Sequence, residues 1–239
     1  METPSPRQHR PIRDRVDHGD GTSTNWSGYA VLGTSFTSAK GSWKVPTATC
    51  TTGDQYAAFW VGIDGYQSNS DTVEQTGTDS DCDGKNPSYY AWYEFYPKGS
   101  FNIGSLTIKP GDEMSASVTY NGSEFTITIE DVTTGKSFSK SSTVASAKRS
   151  SAEWIAEAPC CTASDGILPL ADFGTVLFGK DSTGVSTTDN ATDSTTSGDI
   201  GSFSSIEQIN MAKKNGTKEA TTSALSSDGT SFSVVWLAK

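Results

Sequence analysis

With 239 residues, the chain is long enough to bury one substantial core. Only 19% of its side chains are charged and the formal net charge is −10, an acidic balance without a basic patch that argues against nucleic acid and anionic membrane as partners. No run approaches the roughly 18 consecutive apolar residues that a helical membrane span requires.

Residues 1–22 are rich in Pro, Arg and Asp and nearly devoid of apolar side chains. Alone they cannot bury enough surface to fold, so they are expected to form a flexible leader or propeptide remnant, with residues 23–239 as one domain. Met1 is not followed by an apolar stretch, so the export signal of a secreted protein is expected to lie outside this sequence. His9 and His18, the only histidines, both fall in the leader.

From Asn25 onward, short apolar alternations separated by turn residues indicate strands. Asn25–Val31 and Gly41–Pro46 read as an early pair. Ala58–Ile63 runs into an Asp64-Gly65 turn, and Val73–Gly77 and the aromatic Tyr89–Tyr96 follow. Ser105–Ile108, Met114–Tyr120, Glu124–Asp131 and Lys136–Ser141 come next, with Asn121-Gly122 as a hairpin signal. Ala152–Glu157, Phe173–Phe178, Ile206–Ala212 and Ser231–Leu237 complete the set. Ile167–Ala171 reads as a short helical turn, and the Ser/Thr/Asp-rich residues 181–200 as a mobile surface loop. Many strands at close turn spacing imply an all-β sandwich or barrel.

Strand parity separates core from groove. Phe59, Val61 and Ile63 share one face as core. Trp60, Gly62 and Asp64 share the other: a platform, a gap for a ligand backbone and a charge. Gln75 faces with Val73 and Gly77, and Glu157 with Glu153 and Ile155.

Composition and motifs exclude several chemistries. No Cys/His cluster has zinc spacing, and no glycine-rich phosphate loop opens a helix. Ser/His/Asp and Cys/His machinery needs an imidazole, which this chain carries only in its leader. Carboxylate chemistry assisted by amides and tyrosines remains. Cys50 and Cys82, in polar turn-like stretches, form the preferred disulfide. The adjacent Cys160 and Cys161 could bridge each other or pair elsewhere, and four reduced thiols is the alternative.

Seven stretches appear in the order found in the glutamic peptidase (eqolisin) family: Asn25–Tyr29, Trp43–Pro46, Phe59–Gly65, Gln75–Gly77, Tyr90–Glu94, Glu153–Glu157 and Ala171–Val176. The chain resembles that family over about residues 23–180. The resemblance implies a β-sandwich of two large antiparallel curved sheets with a concave substrate cleft. It places the catalytic pair on Gln75 and Glu157, and the substrate-binding or orienting residues on Trp60, Asp64, Asp79, Trp92, Glu94 and Tyr96. It further implies a secreted acid endopeptidase without metal or cofactor, acting on polypeptides as a monomer. Phe95 departs from the family pattern where a second tryptophan is expected, which bears on the shape of a subsite. The other reading is a carbohydrate-active sandwich or lectin-like module, with Glu94 and Glu157 as acid and nucleophile about 5–5.5 Å apart.

Overall fold

The computed structural model describes residues 1–12, 21–161 and 166–238, apart from the Cys161 side chain. The strands are β1 (Glu2–Pro4), β2 (Arg7–Gln8), β3 (Thr22–Ser23), β4 (Trp26–Leu32), β5 (Ser38–Lys44), β6 (Ala58–Ile63), β7 (Val73–Asp83), β8 (Asn86–Tyr96), β9 (Phe101–Ile103) and β10 (Glu113–Tyr120). They continue with β11 (Phe125–Asp131), β12 (Lys136–Ser142), β13 (Ser151–Glu157), β14 (Cys160–Cys161), β15 (Thr175–Gly179), β16 (Asn190–Thr192), β17 (Ser197–Asp199), β18 (Ile206–Ala212), β19 (Lys218–Thr222) and β20 (Ser231–Trp236).

Two large sheets result, antiparallel except where β3 runs parallel to β18, and β2 with β14 forms a separate two-stranded sheet. The first runs β18-β4-β13-β6-β7-β8-β9-β1. The second runs β12-β11-β10-β5, continues from β5 to β15 and β16, and returns through β20 and β19 to β18. Strand β18 pairs in both sheets and closes the ladder between them. Phe59, Val61 and Ile63 of β6 meet Phe125, Ile127 and Ile129 of β11 in one buried cluster between the sheets. Along β11 the intervening Thr126, Thr128 and Glu130 point outward, the expected alternation of a half-buried antiparallel strand.

The first sheet carries apolar clusters on both faces. Ala58 and Trp60 of β6 belong to a second cluster with Trp26, Trp92 and Ile155. This cluster lies on the face away from the main core, and Ile12 of the leader packs against it. The expected flexible leader is therefore not what residues 1–12 form. β1 pairs with β9, β2 pairs with β14, and Glu2 accepts hydrogen bonds from Tyr93 and Lys140. The leader buries little by itself, but it covers a face that the body lines with tryptophans and with Gln75, Glu94 and Glu157. His18 lies outside the described residues.

Several local expectations change in the folded chain. β4 and β5 do not pair: β4 joins β13 and β18, whereas β5 joins β10, β15 and β16. Ile167–Ala171 makes bridges to Cys160 and Tyr56 instead of a helical turn. Ser105–Ile108 is not a strand, although Leu106 and Ile108 are buried. Residues 181–200 are not a surface loop without structure. They include part of a short helix (Lys180–Thr183), β16 and β17, and they bury Ala191 and Ile200. Buried Asp189 accepts the Ser42 main-chain N–H at 3.1 Å, and Thr183 shares a 2.7 Å hydrogen bond with the Ser42 hydroxyl. A polar segment is thus held by satisfied buried hydrogen bonds, which a hydropathy pattern does not register.

Cys50 and Cys82 are disulfide-bonded across a separation of 32 residues. A Cys160–Cys161 bridge would involve a side chain outside the described set. In the chain-entropy account, closing a loop of this length stabilises by about 3–4 kcal/mol. Replacing both cysteines by serine is expected to lower the unfolding free energy by that order in a denaturant titration. An unchanged midpoint would show that the bridge does not constrain the unfolded chain.

Candidate active site

Four neighbouring strands of the first sheet, β13, β6, β7 and β8, build the site through register. Gln75 of β7 stands opposite Gly62 of β6 on one side and Glu94 of β8 on the other. Gly77 stands between Trp60 and Trp92, and Asp79 between Ala58 and Tyr90. Glu157 ends β13 opposite Ala58. Antiparallel pairing aligns the side chains of paired residues on one face, so the parity expected for Gln75, Trp60, Trp92, Glu94 and Glu157 converges on one surface. The two glycines have steric roles. A Cβ at Gly77 would collide with the Phe59 carbonyl and crowd Trp60. A Cβ at Gly62 would crowd the Trp60 ring and the Gln75 Cβ at 3.0 and 3.2 Å. The gap at Gly62, expected to receive a ligand backbone, is instead taken by these two side chains.

Trp60 Nε1 donates to Glu157 Oε2 at 2.8 Å. Gln75 Nε2 donates to Glu94 Oε2 at 3.2 Å and, at 2.6 Å, to the carbonyl oxygen of His9. The His9 main-chain N–H donates to Glu94 Oε2 at 2.9 Å, and the Arg10 N–H to Glu157 Oε1 at 3.2 Å. Gln75 and Glu157 therefore grip opposite ends of one peptide link, the carbonyl of His9 and the nitrogen of Arg10. Gln75 is 0% and Glu157 1% exposed. What covers them is the leader, which lies against the outer face.

The His9 ring stacks on Trp92, with centroids 3.5 Å apart and planes within 5°. Its Nδ1 lies 3.5 Å from Glu157 Oε2 and its Nε2 4.0 Å from Asp79 Oδ1. Setting the histidines aside as belonging to an unfolded tail is thus wrong for His9, which is buried at the centre of the site. Asp79 and Asp81 both accept the Tyr90 hydroxyl, at 2.8 and 2.7 Å. Arg7 approaches Asp81 at 3.3 Å and lies over the Tyr56 ring. Sequence reasoning missed Asp81, Tyr90, Tyr56 and Trp26. Parity extended along β7 from Gln75 through Asp79 would have placed Asp81 on the same face.

Asp64 does not line the groove. It leaves the strand in a left-handed conformation, φ 72°, so alternation ends before it. Its carboxylate accepts the main-chain N–H groups of Lys148, Arg149 and Ser150 at 2.6–2.9 Å. It anchors the turn that leads into β13 and so positions Glu157 indirectly. Tyr96 sits half-buried at the rim, where Pro11, Ile12 and Pro97 border a cavity of about 430 Å³. Phe95 faces the main core with Tyr93, so its departure from the family pattern alters core packing and not a subsite.

Burial raises the Glu157 carboxyl well above its usual range, against the Trp60 N–H and with help from Glu94. Burial likewise raises Glu94 and Asp79, and Asp81 is pushed to about 6. His9 is lowered by burial and then by Arg7. With the leader in place the site favours neutral acids and a neutral imidazole, because charge beneath the leader is poorly solvated.

Glu74 and Glu153, both 0% exposed, are raised by burial and then by carboxylate neighbours that include Asp64. A carboxyl raised on folding binds more protons in the folded state. Its stabilisation is fully present below the unfolded value, near pH ~4.3, and is lost as pH rises toward the raised folded value. The melting temperature is therefore expected to fall from about pH 4 to about pH 7. Glu153→Gln should flatten that fall, recovering about 1.4 kcal/mol at neutral pH for each pKa unit of upward shift removed. Calorimetry across the range checks this; a melting temperature that rises with pH would contradict it.

Residues 24–236 match the Peptidase A4 family, and the chain belongs to this family of glutamic peptidases. Aspergillopepsin-2 of Aspergillus niger is 30% identical over 179 residues, which cover 65% of this chain and 62% of the relative. Scytalidopepsin B of Scytalidium lignicola is 37% identical over 140 residues, covering 56% and 51%. The chain thus spans between about half and two thirds of the length of these curated relatives. The solved structure of scytalido-glutamic peptidase with a transition state analog inhibitor matches with a TM-score of 0.74 at 29% identity, covering 90% of this chain and 98% of that one. Aspergilloglutamic peptidase from Aspergillus niger matches with a TM-score of 0.62 at 28% identity, covering 77% and 99%. The all-β antiparallel architecture is common to this chain and these structures.

Proposed function

We propose that the protein is an acid-acting endopeptidase in which Glu157 serves as general base and then general acid, and Gln75 stabilises the oxyanion. The observation that carries this reading is the pair's grip on the two ends of one peptide link, the His9 carbonyl and the Arg10 nitrogen. As carboxylate, Glu157 takes a proton from water as the oxygen attacks the carbonyl carbon. The resulting carboxylic acid then protonates the departing amine. The Gln75 N–H meets the charge that develops on the carbonyl oxygen. An amide keeps this donor at any acidic pH because it does not titrate there.

Neighbouring contacts supply orientation. Glu94 accepts one Gln75 N–H, which fixes which end of the amide faces the substrate carbonyl and leaves the second N–H for it. The Trp60 N–H holds Glu157 Oε2, favouring the charged base and turning Oε1 toward the reacting bond. Trp92 offers a flat wall for the side chain preceding the cleaved bond, as it does for His9. When the leader leaves, Glu157 becomes more solvated and its pKa moves toward the ordinary carboxylate value near ~4.3, which suits work in mildly acidic solution. The Cys50–Cys82 bridge fits an oxidising compartment, and secretion follows as part of the proposal. A sugar-cleaving pair of Glu94 and Glu157 is less well supported, since Glu94 is engaged with the Gln75 amide and a peptide N–H.

Gln75→Ala is expected to lower kcat on denatured protein by roughly 10²–10³, with the melting temperature retained. Glu157→Gln should abolish turnover while leaving the fold intact. Wild-type-like cleavage by folded Glu157→Gln would end the assignment. Trp60→Phe removes a donor to the charged form of Glu157, so the Glu157 pKa should rise. The acid limb of the kcat/KM profile then moves to higher pH, a shift that initial rates across an acidic buffer series would reveal.

A further inference from the structure

Asp79 and Glu157 stand in one row of the first sheet, which runs Trp26, Glu157, Ala58, Asp79, Tyr90. Ala58 sets only a methyl group between the two carboxyls. The His9 ring bridges them, with Nδ1 3.5 Å from Glu157 and Nε2 4.0 Å from Asp79. Asp81 lies two positions along β7 from Asp79 and so on the same face. The Tyr90 hydroxyl oxygen is 2.8 Å from Asp79 Oδ2 and 2.7 Å from Asp81 Oδ2. A phenol has one hydrogen to donate. That hydrogen serves one of the two contacts, and the other needs a hydrogen carried by the carboxyl itself. Two short contacts to one hydroxyl therefore require one carboxylic acid and one carboxylate.

We propose that Asp79 and Asp81 hold one proton between them through the Tyr90 hydroxyl, that it rests on Asp79, and that Asp81 and Tyr90 thereby keep negative charge away from Glu157. Asp79 donates to the Tyr90 oxygen, and the Tyr90 O–H donates to Asp81. Moving each hydrogen one place along gives the alternative, an Asp81 acid and an Asp79 carboxylate, with the same total charge. The surroundings choose between them. Arg7 Nε lies 3.3 Å from Asp81 Oδ2 and favours the carboxylate there. Burial and then the Asp81 charge hold Asp79 well above the usual range, whereas Asp81, raised by burial to about 6, is drawn down by Tyr90 and Arg7. Among the described residues, the other titratable groups near Asp79 are Glu94 on β8, Glu157 on β13 and His9 of the leader. A charge on Asp79 would add to burial and Glu94 in holding Glu157 protonated. The shared proton removes that charge. The link to turnover rests on the catalytic reading above, which needs Glu157 as carboxylate. Asp81 and Tyr90 are then positioning residues that act through Asp79.

The test follows isotope-labelled aspartate and glutamate carboxyl carbons by NMR in the full chain, from about pH 5 to about pH 9. One aspartate should keep its proton well above the ordinary carboxylate range and vanish in Asp79→Asn. Asp189, also raised by burial, persists in that variant and is told apart. Asp81→Asn removes a repelling charge and turns the phenol hydrogen toward Asp79, so the Asp79 midpoint should fall by about one unit or more. The Glu157 signal, assigned by its loss in Glu157→Gln, should then titrate roughly half a unit higher or more. Asp79→Asn should leave the Glu157 midpoint in place. A Glu157 midpoint that falls in Asp79→Asn would show a charged Asp79 and overturn the proposal. An Asp79 midpoint unmoved by Asp81→Asn would overturn it too. If a variant does not fold, the parent decides: Asp79 and Asp189 predict at least two protonated aspartates at about pH 6, and fewer overturns the shared proton. These titrations need no turnover. Their failure leaves the peptidase reading to the Gln75→Ala and Glu157→Gln assays, and failure of those assays leaves the shared proton standing.

Discussion

A buried amide beside two buried carboxyls is costly unless each finds a partner, and the architecture of this protein is arranged around that requirement. Gln75 and Glu94 face each other across one strand pair, and Glu157 receives the Trp60 N–H. These contacts satisfy only part of the hydrogen-bonding capacity of the three groups. The backbone of His9 and Arg10 fills part of the remainder, while Gln75 Oε1 and Glu94 Oε1 have no hydrogen-bond partner among the described residues. An unmet polar group in such a place costs on the order of 1–3 kcal/mol, so a peptide backbone that supplies a carbonyl and two N–H groups in the right order is drawn in. The same need docks the leader over Gln75 and Glu157.

The body of the sheet makes this face hold its shape. Trp26, Trp60 and Trp92 form an apolar floor on the outer side of strands whose inner side faces the main core. Glycines at 62 and 77 let these rings and Gln75 lie close to the backbone. Asp64 ties the 148–150 turn to the end of β6, so β13 enters beside β6 in the register that carries Glu157 to the pair. Gln75 sits within β7 and Glu157 at the end of β13, on strands and not on loops, an arrangement that limits their motion.

Acid is the solvent condition that the buried carboxyls prefer. Glu74, Glu153, Glu94, Glu157 and Asp79 are all raised by burial. Folding this sequence is easier when they are protonated, and ionising them at neutral pH costs solvation that the interior does not return. The sparse surface charge and abundant hydroxyls leave little to unbalance as pH falls. Stability thus favours the acidic range.

Much of this was legible in the chain alone. Alternation along Phe59–Ile63 and Phe125–Asp131 reports which face meets the core, because side-chain direction in a strand is local and has a period of two. The ordered stretches around Trp60, Gln75, Trp92 and Glu157 carried the family. Local pattern also placed Asp64 on the groove face, wrongly, because a left-handed residue ends the alternation and only the 148–150 turn brings donors to it. It read β4 and β5 as partners, whereas their true partners lie far along the chain and are selected by which faces must be buried. It treated residues 1–12 as unstructured and His9 as irrelevant, since nothing within those residues can bury them. What holds them is a tryptophan-lined face assembled from strands 16 to 147 positions away. Sequence by itself determined most strands of the body and their inward faces. Only the tertiary structure decided that the leader lies across the reactive pair, because that contact depends on register among four strands that no local pattern encodes.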